Sequence, residues 1–257
     1  MAAGIDLFNL GGRLALVTGS GQGIGLALAG GLAHAGAAVV LNDVNEFRVK
    51  AAAEKLAREG LTASYAVFDV TDQEAVAAAV DRIEKETGAI EILVNNAGIQ
   101  RRAPLEDFTV ADWDAILRVN LSSVFYVSQA VARHMIPRRR GKIINICSVQ
   151  SQLARQSIAP YGASKGAVAM LTKGQCADWA KHGIQANGIA PGYFATEMNK
   201  ALVENEEFSR WLSHRTPAGR WGQVEELTGA AIFLASDAAS FVNGQVVYVD
   251  GGLTSSV

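Results

Sequence analysis

Apolar residues in this chain come in short blocks, and between the blocks they recur every three or four positions. The blocks at 13–17, 37–41, 63–68, 90–94, 142–146, 184–189 and 245–249 read as strands covered on both faces. The stretches at 26–35, 46–59, 73–87, 111–135, 161–181 and 224–235 carry helical spacing. Strands alternating with helices in this way predict a doubly wound α/β fold: a parallel sheet of about seven strands, right-handed crossovers, and helices on both faces. Only 193–221 breaks the rhythm, with one short amphipathic stretch at 202–212. It follows the sixth strand, where an insertion would cover the ligand-binding edge as a substrate lid.

Composition narrows this further. With 257 residues, 49% of them apolar, and 26 glycines, the chain suits one large core, so a single domain over 1–257 is expected. A net charge of −2 supplies no general field for nucleic acid. No apolar run approaches the roughly 18 residues of a membrane span, so no membrane partner is expected. The opening MAAGIDLFNLGGR lacks the basic and apolar regions of a secretory signal, and Cys147 and Cys176 read as reduced thiols, which together favour the cytoplasm. His34, His134, His182 and His214 show no ligand spacing, so no metal is expected.

The chemistry-bearing residues gather at the C-terminal ends of the expected strands, where an open parallel sheet binds ligands. Gly19, Gly23 and Gly25 lie between the first strand and its helix, a place where backbone N–H groups and the helix dipole can hold a pyrophosphate. Their spacing departs from the commoner Gly-x-Gly-x-x-Gly pattern, and a turn without ligand is the alternative. Asp43 ends the second strand, where its carboxylate would bond a ribose and repel a 2′-phosphate, favouring NAD over NADP; capping of the next helix is its other reading. Asp69 stands where it could meet an adenine, or the segment could cap a helix. Arg101 and Arg102 follow the fourth strand as a carboxylate clamp or a solvated loop. Tyr161 and Lys165, four apart on a helix, place an ammonium beside a phenol; that predicts a phenol pKa drawn toward neutrality, with Ser148 ready to stabilise an alkoxide. The bland alternative is an exposed helical pair.

TGSGQGIG at 18–25, NNAG at 95–98, Asn120, Ser148, YGASK at 161–165 and PG at 191–192 occur in one order along the chain. Together they resemble the short-chain dehydrogenase/reductase family, a Rossmann-type fold. The resemblance implies a catalytic tetrad of Asn120, Ser148, Tyr161 and Lys165, with Tyr161 as acid/base, Lys165 also on the nicotinamide ribose, and Asn120 holding a water. It assigns Gly19, Ser20, Gly23, Ile24 and Gly25 to the pyrophosphate, Asp43 to the ribose, and Asp69 and Val70 to the adenine. Asn95, Ala97 and Gly98 fall to the neighbouring ribose, and Pro191, Gly192, Phe194 and Thr196 to the nicotinamide. Homotetramers built on the two long helices are also implied. NNAGIQRRAPLEDF, INICSVQSQLAR, IAPGYFATEM and RTPAGRWGQVEEL resemble the branch that interconverts D-gluconate and 5-keto-D-gluconate, with Arg101 or Arg102 on the carboxylate. Gln152 stands where that branch implies Glu. The competing readings are a dehydrogenase of another polyol or hydroxy acid, a 3-oxoacyl thioester reductase, and a dinucleotide-sensing protein without activity.

Overall fold

Strands with no polar alternation must be covered on both faces. That is the arrangement of β1 (Leu14–Val17), β2 (Ala38–Asp43), β3 (Ala63–Val67), β4 (Ile90–Asn95), β5 (Gly141–Ile146), β6 (Ile184–Pro191) and β7 (Val246–Val249) in the computed structural model, which describes residues 3–256. They form one parallel sheet in the order β3-β2-β1-β4-β5-β6-β7. The fold is a Rossmann-type doubly wound domain, as the alternation predicts. The central strands β1 and β5 are buried throughout, whereas the edge strand β3 buries only Ala66 and β7 is half-buried. Val17 pairs with both Leu41 and Val94, so the C-terminal ends of β1, β2 and β4 lie side by side. The chain reverses direction across the sheet between β1 and β4, which opens a crevice at that point.

α1 (Gly23–His34), α2 (Glu46–Arg58) and α3 (Gln73–Glu86) follow the first three strands. The Asn45 and Asp72 side chains accept from the Arg48 N–H and from the Glu74 and Ala75 N–H groups, caps worth about 1 kcal/mol each. The expected helix at 111–135 is two helices, α4 (Val110–Leu117) and α5 (Ser123–Arg138), joined by a π turn over Arg118–Ser122. By length and hydropathy Val110–Arg138 passes for a membrane-crossing helix, contrary to the expectation from the sequence. Its Val127, Val131 and Met135, however, are buried with Val80 and Ile83 of α3 in the core under one face of the sheet. α6 (Ala159–Trp179) precedes β6. The 193–221 segment holds α7 (Lys200–Val203) and α8 (Glu206–Arg215), and α9 (Thr228–Ala235) packs with α1 over the other face of the sheet.

Candidate active site

A cavity of about 740 Å³ runs along the C-terminal ends of the strands. Asp43, Asp69 and Val70 line one end, Gly19 and Gly23–Gly25 the middle, and Ser148, Tyr161, Lys165 and Pro191–Phe194 the other. Gly19 makes the tight turn possible: its φ is +60°, and a Cβ there would stand 2.7 Å from the Ala97 Cα. Asn96, which the motif reading passed over, braces this turn by donating from Nδ2 to the Thr18 and Gly19 carbonyls at 3.0 and 2.9 Å. Thr18 Oγ1 accepts in turn from the Asn96 and Ala97 N–H groups.

β5 runs directly into Cys147 and Ser148, whose Oγ accepts from the Gln150 N–H at 3.1 Å. Ser151 Oγ donates to the Lys165 carbonyl, which ties this turn to α6. Tyr161 and Lys165 therefore face Ser148 from the start of α6, with Lys165 Nζ 5.8 Å from the Tyr161 ring centre. Lys165 is buried and donates to the Ile146 carbonyl at 2.6 Å; burial lowers its pKa to about 8, with the neighbouring Cys147 acting in the opposite direction. The expected depression of the phenol does not occur. Burial of Tyr161 raises its pKa, and the hydrogen bond with Ser148 offsets only part of that rise. The lysine charge is directed at the Ile146 carbonyl instead, so Tyr161 is held as a proton-bearing phenol. Cys147, also buried, is pushed up to about 11 and is no nucleophile at neutral pH.

Asn120 sits in the π turn, fully buried, a position set by the extra residue that such a turn inserts. Its Oδ1 accepts from the Ile99 N–H at 2.8 Å, and its Nδ2 donates to the Ile99 carbonyl and Ser164 Oγ. The side chain thus pins the strand-end loop to α6 and does not line the cavity. Two more motif residues turn inward. Ser20 Oγ donates to the Val17 carbonyl and accepts from the Asn42 N–H, and Asn95 Nδ2 donates to Ser128 Oγ and Asn145 Oδ1 at 2.8 Å. Both hold strands together. Gly19, Gly23, Ile24, Gly25, Asp43, Asp69, Val70, Ala97, Gly98, Pro191, Gly192, Phe194 and Thr196 all line the cavity.

At the substrate end the two arginines separate. Arg101 lies outside the cavity, 3.5 Å from Asp112, whereas Arg102 lines it. Gln152 is exposed outside the cavity wall, and Gln150 and Arg155 line it in its place. Arg155 lies 4.5 Å from the Phe208 ring centre and 6.0 Å from that of Tyr193. Tyr193, Phe208, Trp211 and Trp221 form one aromatic cluster, with centroid separations from 5.2 to 6.4 Å. Sequence spacing does not single out Arg155, since nothing near it in the chain reveals the ring it meets.

The donor set fits a dinucleotide. Carboxylate, helix N-terminus and a buried lysine succeed one another along a single cavity long enough to pass all three. A parallel sheet whose ligand edge joins that strip to a serine, a tyrosine and a lysine defines a nicotinamide-dependent oxidoreductase. The chain belongs to the short-chain dehydrogenase/reductase family. The family model described as "Enoyl-(Acyl carrier protein) reductase" matches residues 19–254. The chain is 64% identical to "Gluconate 5-dehydrogenase" of Gluconobacter oxydans (strain 621H), over 98% of each chain. It is 56% identical to "5-keto-D-gluconate 5-reductase" of Escherichia coli (strain K12), over 98% of this chain and 99% of that one. A gluconate 5-dehydrogenase from Burkholderia cenocepacia J2315, solved in complex with NADP and tartrate, superposes with a TM-score of 0.96 at 66% identity and 98% coverage of both chains.

Proposed function

We propose that this oxidoreductase of sugar acids interconverts D-gluconate and 5-keto-D-gluconate. The observation that carries the reading is Arg102, a cation in the wall of the same cavity as Ser148 and Tyr161. A nicotinamide cofactor supplies or receives the hydride. In reduction the Tyr161 phenol donates its proton to the carbonyl oxygen as that oxygen gains charge, and the Ser148 hydroxyl donates a hydrogen bond to the same oxygen. In oxidation Tyr161 takes the hydroxyl proton back. The names of the Gluconobacter and Escherichia relatives support this substrate pair.

The cofactor proposed is NADP, in place of the NAD expected from Asp43. Asp43 Oδ1 accepts from the Asn45 N–H, and its Oδ2 lies 3.9 Å from Arg48 Nη1. Arg48 lines the cavity and offsets the charge that would repel a 2′-phosphate. Gly21 permits this packing, because a Cβ there would stand 2.7 Å from Asp43 Oδ2 and 3.0 Å from Arg48 Cδ. The NADP held by the Burkholderia relative points the same way. Absorbance assays with D-gluconate, and in reverse with 5-keto-D-gluconate, are expected to show turnover with higher kcat/KM for NADP than for NAD. Arg48→Ala should raise the KM for NADP about 10- to 100-fold with little effect on NAD. A wild type that prefers NAD would reverse the cofactor assignment, and one inactive on both sugar acids would reverse the substrate.

The reading includes a homotetramer in the cytoplasm. Phe125 of α5 and Met170 of α6 are exposed, 46% and 65% accessible, on the two long helices that the resemblance places at the interface. Light scattering on the eluted protein should give four times the chain mass, and Phe125→Glu with Met170→Glu should reduce it. A monomeric wild type would refute the assembly.

A further inference from the structure

The proposed reaction leaves open how the enzyme would tell a sugar acid from the neutral polyol of the same length. Five arginines outside the cavity are neutralised by carboxylates: Arg13 by Asp237, Arg101 by Asp112, Arg138 by Glu84, Arg140 by Glu91 and Arg220 by Glu226. Arg102, Arg118 and Arg155 line the cavity and make no ion pair among the described residues; of these, Arg102, whose Nη2 donates to Gln100 Oε1 at 2.9 Å, and Arg155 lie toward one another. The two are close enough that Arg155, after burial, is the second largest cause lowering the Arg102 pKa. Two like charges brought together at a cavity wall await an anion.

The Arg155 guanidinium lies over Phe208 of α8 at 4.5 Å, while the residue's backbone belongs to the loop between Ser148 and Tyr161. Stacking occupies the face of a guanidinium and leaves the N–H donors at its edge free to fork onto a carboxylate. We infer that Arg155 and Arg102 together grip the substrate carboxylate, and that Arg155, resting on Phe208 and Tyr193, makes recognition of the acid and seating of the 193–221 segment one event. This rests on the sugar-acid reading above and names the residue that sets its specificity. A lysine at 155 would keep the charge but lose both the fork and the stack.

The test compares wild type, Arg155→Ala and Arg155→Lys on 5-keto-D-gluconate and on L-sorbose, its counterpart with CH2OH in place of the carboxylate. Binding of D-gluconate and D-sorbitol is followed in parallel by tryptophan fluorescence, since Trp211 and Trp221 belong to the cluster that Arg155 touches. Loss of a charged, forked contact predicts a rise of about 10- to 200-fold in KM for 5-keto-D-gluconate and in Kd for D-gluconate. kcat and the KM for the cofactor should stay within about threefold, L-sorbose and D-sorbitol should be unaffected, and Arg155→Lys should recover only part of the loss. Equal losses on acid and neutral compounds, or no change in KM, would overturn the inference. If wild type binds D-gluconate without oxidising it and Arg155→Ala weakens that binding, the carboxylate grip stands and the proposed reaction falls. If wild type binds neither sugar acid, both fall.

Discussion

Tyr161→Phe is expected to lose about 10²- to 10⁴-fold in kcat in both directions, the range for removing a positioned proton donor. The ring remains, so packing at the start of α6 and binding of the cofactor should be kept, and KM for NADP should change little. The pH profile gives a second readout. Burial raises the phenol pKa above its ordinary value near 10. Reduction uses the O–H form, which then persists through neutral and moderately alkaline pH, so its rate should stay flat there and fall only as pH rises through that raised pKa. Oxidation uses the phenolate, whose fraction grows tenfold per pH unit below the pKa, so its rate should climb throughout the same range. In Tyr161→Phe the residual oxidation should lose this slope. Full activity in the variant, or an oxidation rate that falls with rising pH while the protein stays folded, would remove Tyr161 from the proton transfer.

The largest expected effect on stability lies behind the site. Asn145 is fully buried in β5; its Oδ1 accepts from Asn95 Nδ2, and its Nδ2 donates to Thr172 Oγ1 at 2.9 Å and Gln175 Oε1 at 2.8 Å. One amide thus joins β4, β5 and α6, the helix that carries Tyr161 and Lys165. In Asn145→Ala, Asn95 keeps Ser128 and Thr172 keeps the Val168 carbonyl. Gln175 keeps nothing, since its Nε2 already lacks a partner among the described residues. Stranding the Gln175 oxygen at about 1–3 kcal/mol, together with about 1 kcal/mol for the small void, gives a loss of about 2–4 kcal/mol. For a chain of this size that corresponds to a fall of roughly 4–16 °C in Tm. Calorimetry of the variant would test it, and a shift under about 2 °C would mean that the network contributes little.

The strands and most of the helices were legible because burial on both faces leaves a compositional mark. Every expected strand is present, with bounds that move by two residues at most. The π turn was not legible: a helix with one extra residue keeps nearly the same apolar rhythm, so 111–135 read as continuous. Which way a polar side chain turns at a strand end was equally hidden. Asn95 and Asn96 are adjacent in the motif, yet the first turns into the core and the second braces the glycine turn. The raised phenol pKa was missed because the helical spacing of Tyr161 and Lys165 gives proximity but neither burial nor the lysine's preference for the Ile146 carbonyl. Arg48 and Arg155 escaped for one reason: each acquires its meaning from a partner that the fold brings up, Asp43 for one and Phe208 for the other.

The strand order also bears on how the chain is made. β1 sits between β2 and β4, so the first three strands to leave a ribosome can pair only in the order β3-β2-β1, with one side of β1 bare. That side stays open until residues 90–95 arrive, and an unpaired, wholly apolar edge is a template for association with other chains. The nascent protein therefore passes through an interval in which a strand buried throughout in the finished fold is its open edge, and the arrival of β4 both ends that interval and opens the crevice for the cofactor.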